Sequence, residues 1–417
     1  MLTAVDLFSG AGGISLGLTR AGYRVLLASD LHPEYSATHA SNMPDTVFKV
    51  GDIRNWSDDW LLKQTGLLSE ELDLLIGGPP CQGFSIIGSR VTHDPRNDLF
   101  REMFRLARVA RPKALVIENV PGLTTLAKGA YLSHILEGYA ELGYNVDYAE
   151  LLAAQYGTPQ MRRRMVFVGF RKDLGLRAGL GFPAPRRGNR GIGELPANLT
   201  VSAADEAQFV NTREALGDLP PVAAGDCVGT YVGPPATEYQ REMRAGLRSE
   251  LFNHYAASLS LANLARLQAL APGQDWRDLP KELLPPSMQR ALRKDHTRRY
   301  RRMTWEGVPR SVITRFRDPK TGEYTHPDQD RTLTIREAAR LQGFPDWFIF
   351  SGTRTSQYEQ VGNAVPVQLA QAIGEEVAAA LRQTATFVLP KSAKRYLRVP
   401  DTAAQCLPFD LLDQVSS

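Results

Sequence analysis

The sequence predicts an α/β fold in which βαβ units build a mostly parallel sheet and a second, smaller irregular domain interrupts the chain. Three observations predict it. Short β-branched or apolar runs alternate with helix-like segments up to about residue 170, as strands joined by crossover helices do. From 171 to 330 the texture changes to Gly, Pro and Arg with dense turn signals, beginning at "GLRAGLGFPAPRRGNRGIGELP". From 331 to 384 a regular pattern returns, in "TIREAARLQGF" and the Ala-rich amphipathic "VQLAQAIGEEVAAALR". A length of 417 residues suits two unequal domains, because single cores rarely grow beyond about 250–300 residues. Residues 385–417 form a tail with no usable pattern.

Taken in order, "AVDLF" precedes the helix-like "GISLGLTRAG", and "RVLLASD" precedes "PEYSATHASN". A third strand is expected at "TVFKVGDI", ending in Asp52, and a fourth at "LDLLIGG". After a loop comes "NDLFREMFRLARVA", where Leu99, Met103, Leu106 and Ala110 recur at three- and four-residue spacing and make one apolar stripe. A fifth strand, "ALVIENV", leads to the helix "YLSHILEGYAELG", and two more strands are expected at "VDYAELLAA" and "RMVFVGF".

Composition narrows the function. A chain that is 43% hydrophobic and 23% charged reads as globular rather than disordered, and no apolar run is long enough to cross a bilayer. "MLTAVDLFSG" lacks the basic, apolar and small-residue regions of a leader, so a cytoplasmic protein is expected. Cys81, Cys227 and Cys406 are widely separated and unpaired by any C-x-x-C spacing, which disfavours a disulfide framework or a cysteine zinc site, and no metal is expected. The net charge of +4 hides a local concentration: between Arg290 and Arg302, seven Lys or Arg accompany one acid, Asp295. That run is either a solvated helix face or a phosphate-contacting surface.

In an open parallel sheet ligands bind beyond the carboxyl ends of the strands. After the first strand, "FSGAGG" places Gly10, Gly12 and Gly13 where the backbone must turn tightly before a helix N-terminus. It is not the G-x-G-x-x-G dinucleotide pattern, so it marks either a nucleotide-like cofactor without a pyrophosphate or a plain glycine turn. Asp30 after the second strand and Asp52 after the third are each turn or cap residues if taken singly. In succession they favour a nucleoside needing no phosphate site, and S-adenosylmethionine has that makeup. The fourth strand delivers "GGPPCQGFS", in which Cys81 is a nucleophile on a stiff loop or an inert small residue. Glu118 ends the fifth strand, and Arg162 and Arg164, two apart, share one face of an extended segment.

Together and in this order, "DLFSGAGG", "GGPPCQGFS", "RNDLF", "IENV", "YGTPQMRRR", "RTLTIREAARLQGFPD" and "QVGNAVP" resemble the characteristic blocks of the DNA cytosine-5 methyltransferases. The resemblance spans about residues 4–170 and 330–382. It implies a Rossmann-like S-adenosylmethionine-dependent methyltransferase fold, a catalytic domain over 1–170 completed by 331–384, and a target-recognition domain over 171–330. It implies that Cys81 adds to carbon 6 of a flipped-out cytosine, that Glu118 contacts ring nitrogen 3, and that Arg162 and Arg164 orient the base. Phe8, Gly10, Gly12, Asp30, Asp52, Ile53, Leu99 and Asn363 would line the cofactor pocket, although Leu99 serves equally as helix core. Residues 83–96 suit a loop closing over DNA, and the 290–302 run turns toward DNA contact.

The implied partner is double-stranded DNA, methylated by a monomer acting on the nucleoid, with a companion restriction endonuclease working separately. Two departures stand out. Asp30 occupies a position where the family usually has glutamate, and Arg163 makes three consecutive arginines where the pattern needs the outer two. The alternatives are a tRNA cytosine-5 methyltransferase of the same fold and a DNA-binding protein without activity; a nicotinamide-dependent dehydrogenase is disfavoured by the missing pyrophosphate fingerprint.

Overall fold

The apolar runs expected as strands form one seven-stranded sheet in the computed structural model, which describes residues 1–80, 99–125, 129–177, 179–187, 209–247, 249–290 and 299–383. Strands β1 (Leu2–Leu7), β2 (Tyr23–Asp30), β3 (Val47–Val50), β4 (Leu74–Gly77) and β5 (Ala114–Asn119) are parallel. β6 (Tyr144–Leu152) and β7 (Arg163–Arg171) close the edge antiparallel, giving the order β3-β2-β1-β4-β5-β7-β6. β4 and β5 are buried at every residue, as unbroken apolar strands covered on both faces must be. The third strand stops two residues short of expectation: β3 ends at Val50, and Asp52 instead caps the short turn Ile53–Asn55 by accepting from Arg54 N at 3.0 Å.

Helices cover both faces. On one, α1 (Gly13–Arg20) and the helix Val367–Arg382 bring Ile14, Leu18, Leu369 and Ile373 onto Val25, Val116 and Val168. The two helices approach closely because Gly17 carries no Cβ: one there would lie 2.6 Å from Ala370 Cβ and 2.7 Å from Val367 O. On the other face, α3 (Trp60–Thr65), α4 (Leu99–Ala110) and α5 (Ala130–Glu141) bury Leu61, Met103, Leu106 and Ile135 on Leu7, Leu75 and Ile117. α2 (Glu34–Asn42) lays Tyr35, Thr38 and His39 inward. The chain runs outward from β1 to β3, then returns to β4 beside β1, so the sheet reverses direction between β1 and β4. A crevice opens there, beyond the carboxyl ends.

The intervening region is irregular as expected. Its described part carries the short helices Thr212–Leu216, Glu238–Met243, Leu261–Gln268 and Pro286–Arg290 and isolated bridges such as Cys227↔Tyr255. One apolar cluster joins Val210, Leu216, Met243 and Phe316 of this region to Leu333, Leu341, Phe344 and Phe350, across position 330. Around it lies a buried ionic lattice. Arg331 donates to both oxygens of Glu337 at 2.7 Å, Arg340 pairs with Asp346 at 2.6 Å, and Arg336 donates to the carbonyls of Phe252, Pro345 and Phe348. Burial alone would raise the Glu337 carboxyl, but Arg331 holds it below the usual carboxylate range.

The basic run from 290 to 302 is corrected at its end. Arg302 is 3% exposed, its guanidinium spent on the carbonyls of Leu267, Leu270 and His326 and on Asp330, and Tyr300 is fully buried in a small core with Leu267 and Trp276. These two hold the subdomain together and face no external phosphate; residues 291–298 lie outside the described residues. Among the described residues no helix is long and apolar enough to cross a membrane.

Candidate active site

The crevice at the switch point is a cavity of ≈ 650 Å³, and its walls follow the strand order of the sheet. The ends of β1, β2 and β3 supply Phe8, Ser9, Gly10, Asp30, Leu31, Asp52, Ile53 and Trp56; the ends of β4 and β5 supply Gly78, Pro79, Pro80, Glu118 and Asn119. Arg162 and Arg164 enter from β7 and the residue before it, Leu99 from α4, and Asn363, Ala364 and Val365 from the returning segment. With strands spaced about 4.8 Å apart, β3 and β5 put the two ends of this cavity about 19 Å from each other.

At the β1–β2 end the glycine loop and Asp30 define each other. Gly10 adopts φ 55°, and its N–H donates to Asp30 Oδ2 at 3.0 Å while His32 N–H donates to Oδ1 at 3.1 Å. Burial raises the Asp30 pKa, partly offset by those amides. His39 supports the loop from behind: its Nε2 lies 3.1 Å from Gly10 O, and its ring packs on Phe48 at 4.3 Å between centroids. Burial lowers the His39 pKa to about 4, so at neutral pH the ring is uncharged and Nε2–H donates to that carbonyl.

Gly12 is placed differently from the other expected residues. It does not line the cavity; it caps α1 at φ 98°, and a Cβ there would meet Met43 Cε at 2.3 Å and His39 Cε1 at 3.0 Å. Asp52 lines the cavity with its carboxylate already held: Arg54 Nε lies 3.0 Å from Oδ1, and the Arg54 hydrogen bond keeps the Asp52 pKa below the usual range. Ile53 is buried beside it. Leu99 meets both of its readings, lining the cavity while packing on the α4 core. Phe8, at φ 57°, also joins cavity and core.

At the β4–β5 end Glu118 and Arg164 form an ion pair of 2.5 Å, Nε to Oε1, with side chains 10% and 13% exposed. Gly78 leaves room beneath it, since a Cβ would lie 2.9 Å from Glu118 Oε2 and displace the carboxylate. Arg162 is 3% exposed and donates to Val312 O at 2.6 Å and Gly362 O at 3.3 Å, tying β7 to the second region and the returning helix. Burial first and the neighbouring Arg164 second depress its pKa, and its Nε has no hydrogen-bond partner. Arg163 points away and pairs with Glu150 on β6 at 2.9 Å. The alternation of a strand thus sorts the three arginines, two inward and one outward. Cys81 and the 83–96 loop lie outside the described residues, but Pro80, the residue before Cys81, lines the cavity and Asn119 Nδ2 holds Pro79 O at 3.1 Å.

Tyr35, His39 and Trp56 went unread in the sequence. Tyr35 and His39 carried a signal, standing four apart on the buried face of α2 after Asp30. Trp56, stacked on Trp60 at 3.7 Å between centroids, carried none, because only the folded turn brings it here.

The cavity matches a nucleoside bearing an amino-acid tail. Its volume falls within the roughly 300–1,000 Å³ of small-molecule sites, its walls are largely apolar, and the half-buried Asp30 carboxylate, held by backbone amides, stands beside the glycine loop. The family model for C-5 cytosine-specific DNA methylase matches residues 2–379. The chain is 36% identical over 379 residues to the Type II methyltransferase M1.HphI of Haemophilus parahaemolyticus, covering 90% of this chain and 86% of that one. It is 32% identical to the Type II methyltransferase M.AgeI of Thalassovita gelatinovora, covering 91% and 100%. In three dimensions it resembles a DNA modification methyltransferase encoded within an E. coli prophage, with a TM-score of 0.68, 25% identity and coverage of 92% and 100%. Fold, cavity and these likenesses agree: the chain belongs to the C-5 cytosine-specific DNA methylase family.

Proposed function

We propose that this enzyme methylates carbon 5 of one cytosine within a short, specific duplex DNA sequence, as the modifying member of a restriction-modification pair. The family reaction, methyl transfer to cytosine in DNA, is given by the match over residues 2–379; the sequence specificity rests on its likeness to Type II methyltransferases. The observation that carries the residue assignment is the Glu118–Arg164 ion pair, set on the β5 side of a cavity whose β1–β3 side suits a nucleoside.

S-adenosylmethionine, the family's methyl donor, supplies an electrophilic methyl group. Asp30 would accept from the ribose hydroxyls, Phe8, Ile53 and Leu99 would wall the purine and sugar, and Asn363 would close the pocket from the returning chain. Asp52, occupied by Arg54, would act by fixing the turn that presents Ile53 and Trp56. Gly12 would serve by letting α1 and α2 meet behind the loop.

Cytosine carbon 5 is a weak nucleophile. The Cys81 thiolate would add to carbon 6, forming a carbon–sulfur bond as the ring double bond's electrons move to carbon 5. Glu118 would hydrogen-bond or protonate ring nitrogen 3 as that charge develops, with Arg164 fixing the carboxyl's position. Arg162, bonded to two backbone carbonyls, would hold the wall against which the base rests. Once carbon 5 carries the methyl group, a base takes the carbon 5 proton, the electrons of that C–H bond re-form the ring double bond, and the carbon–sulfur bond to Cys81 breaks to release the thiolate. A base inside a duplex cannot reach this cavity, so the cytosine would be flipped out of the stack.

The test is to express the protein in a methylation-free host and sequence its DNA with chemistry that separates 5-methylcytosine from cytosine. Methylation confined to one short motif is the expected result; unmethylated DNA from active-cofactor-binding protein overturns the assignment. Cys81→Ala should abolish methylation and leave the calorimetric affinity for S-adenosylmethionine nearly unchanged, and retained turnover would remove Cys81 from the mechanism.

A further inference from the structure

Away from the cavity, a groove of ≈ 420 Å³ runs between the second region and the helix Arg354–Asn363. Its walls include three cations, Arg317, Lys320 and Arg354, all exposed, and a single carboxylate, Asp318. None of the three cations forms an ion pair with any described residue, whereas the arginines of the nearby lattice at 331, 336 and 340 all do. Asp318 is turned to the backbone, accepting from Lys320 N at 3.0 Å.

The guanidiniums are nevertheless held in place. Arg354 lies over the Tyr255 ring at 3.9 Å, and Arg317 lies over the Tyr358 ring at 5.6 Å while donating to Thr355 Oγ1 at 3.3 Å. Tyr358 is 2% exposed and its hydroxyl has no partner, so the ring face, not the hydroxyl, accounts for a tyrosine's contribution here. An aromatic face orients a guanidinium without neutralising it, leaving its N–H donors for an outside anion. Ser258 and Ser260 add hydroxyls along the same wall. Arg354 and Asn363 mark opposite ends of one helix, so the groove stands about 14 Å along that axis from the cofactor cavity.

We propose that this groove grips the sugar-phosphate backbone of the DNA duplex, with Arg317 and Arg354 on phosphate oxygens and Lys320 adding charge. The inference rests on the DNA-methylating function. Three unneutralised cations, two of them held on aromatic faces, suit a repeating phosphodiester, which carries no sequence information but fixes the duplex against the protein.

The experiment measures duplex affinity of the full chain against salt, for DNA with and without the methylated motif. Wild type should show a linear fall of log affinity with log salt. Arg317→Gln and Arg354→Gln should each reduce that slope by about 1, on both DNAs alike, so that each variant gives up roughly threefold of the affinity change between about 50 and about 200 mM salt. Arg317→Lys and Arg354→Lys should restore the slope, Tyr358→Phe should match wild type, and S-adenosylmethionine affinity should hold throughout. Slopes equal to wild type in both Gln variants overturn the proposal; so do lost slopes that lysine does not restore, which would mark a structural role. Failure of the underlying function would show separately, as a wild-type protein that leaves duplex DNA unmethylated.

Discussion

Asp6 sits in the middle of β1, fully buried, with Oδ2 accepting from Ser15 Oγ at 2.7 Å and Oδ1 without a partner. Burial raises its pKa to about 7, against the pull of Ser15, with the charge of Asp30 adding to the rise. The folded protein therefore keeps a proton that the unfolded chain releases near pH 4, and stability declines as pH rises from there to about 7. Above that the loss levels off at roughly 4 kcal/mol. Asp6→Asn, which has no charge to bury, should raise the melting temperature markedly more at pH 8 than at pH 5; a gain equal at both would refute a protonated Asp6. Burial raises the Asp30 carboxyl as well, but there the backbone amides of Gly10 and His32 partly offset the rise. Asp30→Ala should weaken S-adenosylmethionine binding by roughly tenfold or more, the worth of one to two charge-assisted hydrogen bonds, as read by calorimetry. An unchanged affinity would take Asp30 out of the pocket.

At the scale of elements, the α1 contact with Val367–Arg382 depends on Gly17. Gly17→Ala must push the helices apart, and a loss of about 1–3 kcal/mol is expected in urea unfolding. How legible an element was depended on what made it. β1 to β7 could be read because each is an apolar run with its own periodicity, and Glu118, Asp30 and the inward Arg162 and Arg164 because they stand at strand ends or alternate along one. The end of β3 was misplaced by two residues because Asp52, an acid after an apolar run, reads the same as a strand end or as the cap it is. Arg302 and the lattice arginines look like surface charge in sequence. Only tertiary contacts with backbone carbonyls and Glu337 or Asp346 make their burial affordable. Val365 and Asn363 joined the cavity through a return from across the chain, which local periodicity does not encode.

For the whole molecule, that return decides what can fold alone. The face of the sheet carrying Val25, Val116 and Val168 is covered by Leu369, Ile373 and Val377, so a fragment of residues 1–187 would leave it bare. Such a fragment should lack a cooperative melting transition and be cleaved rapidly by protease; a sharp transition would show the first part self-sufficient. The ionic lattice adds a second dependence, since Arg340 holds both Asp346 and Asp218 and so anchors the irregular region to the closing segment.

The position of Asn363, Ala364 and Val365 in the cavity wall also orders events in time. A ribosome makes β1, with its glycine loop, more than three hundred residues before Asn363, and chains fold from the N-terminus as they emerge. Until those residues emerge, the nascent polypeptide lacks one wall of the cavity. The cavity is complete only when the last helix docks against α1 and brings that wall into place.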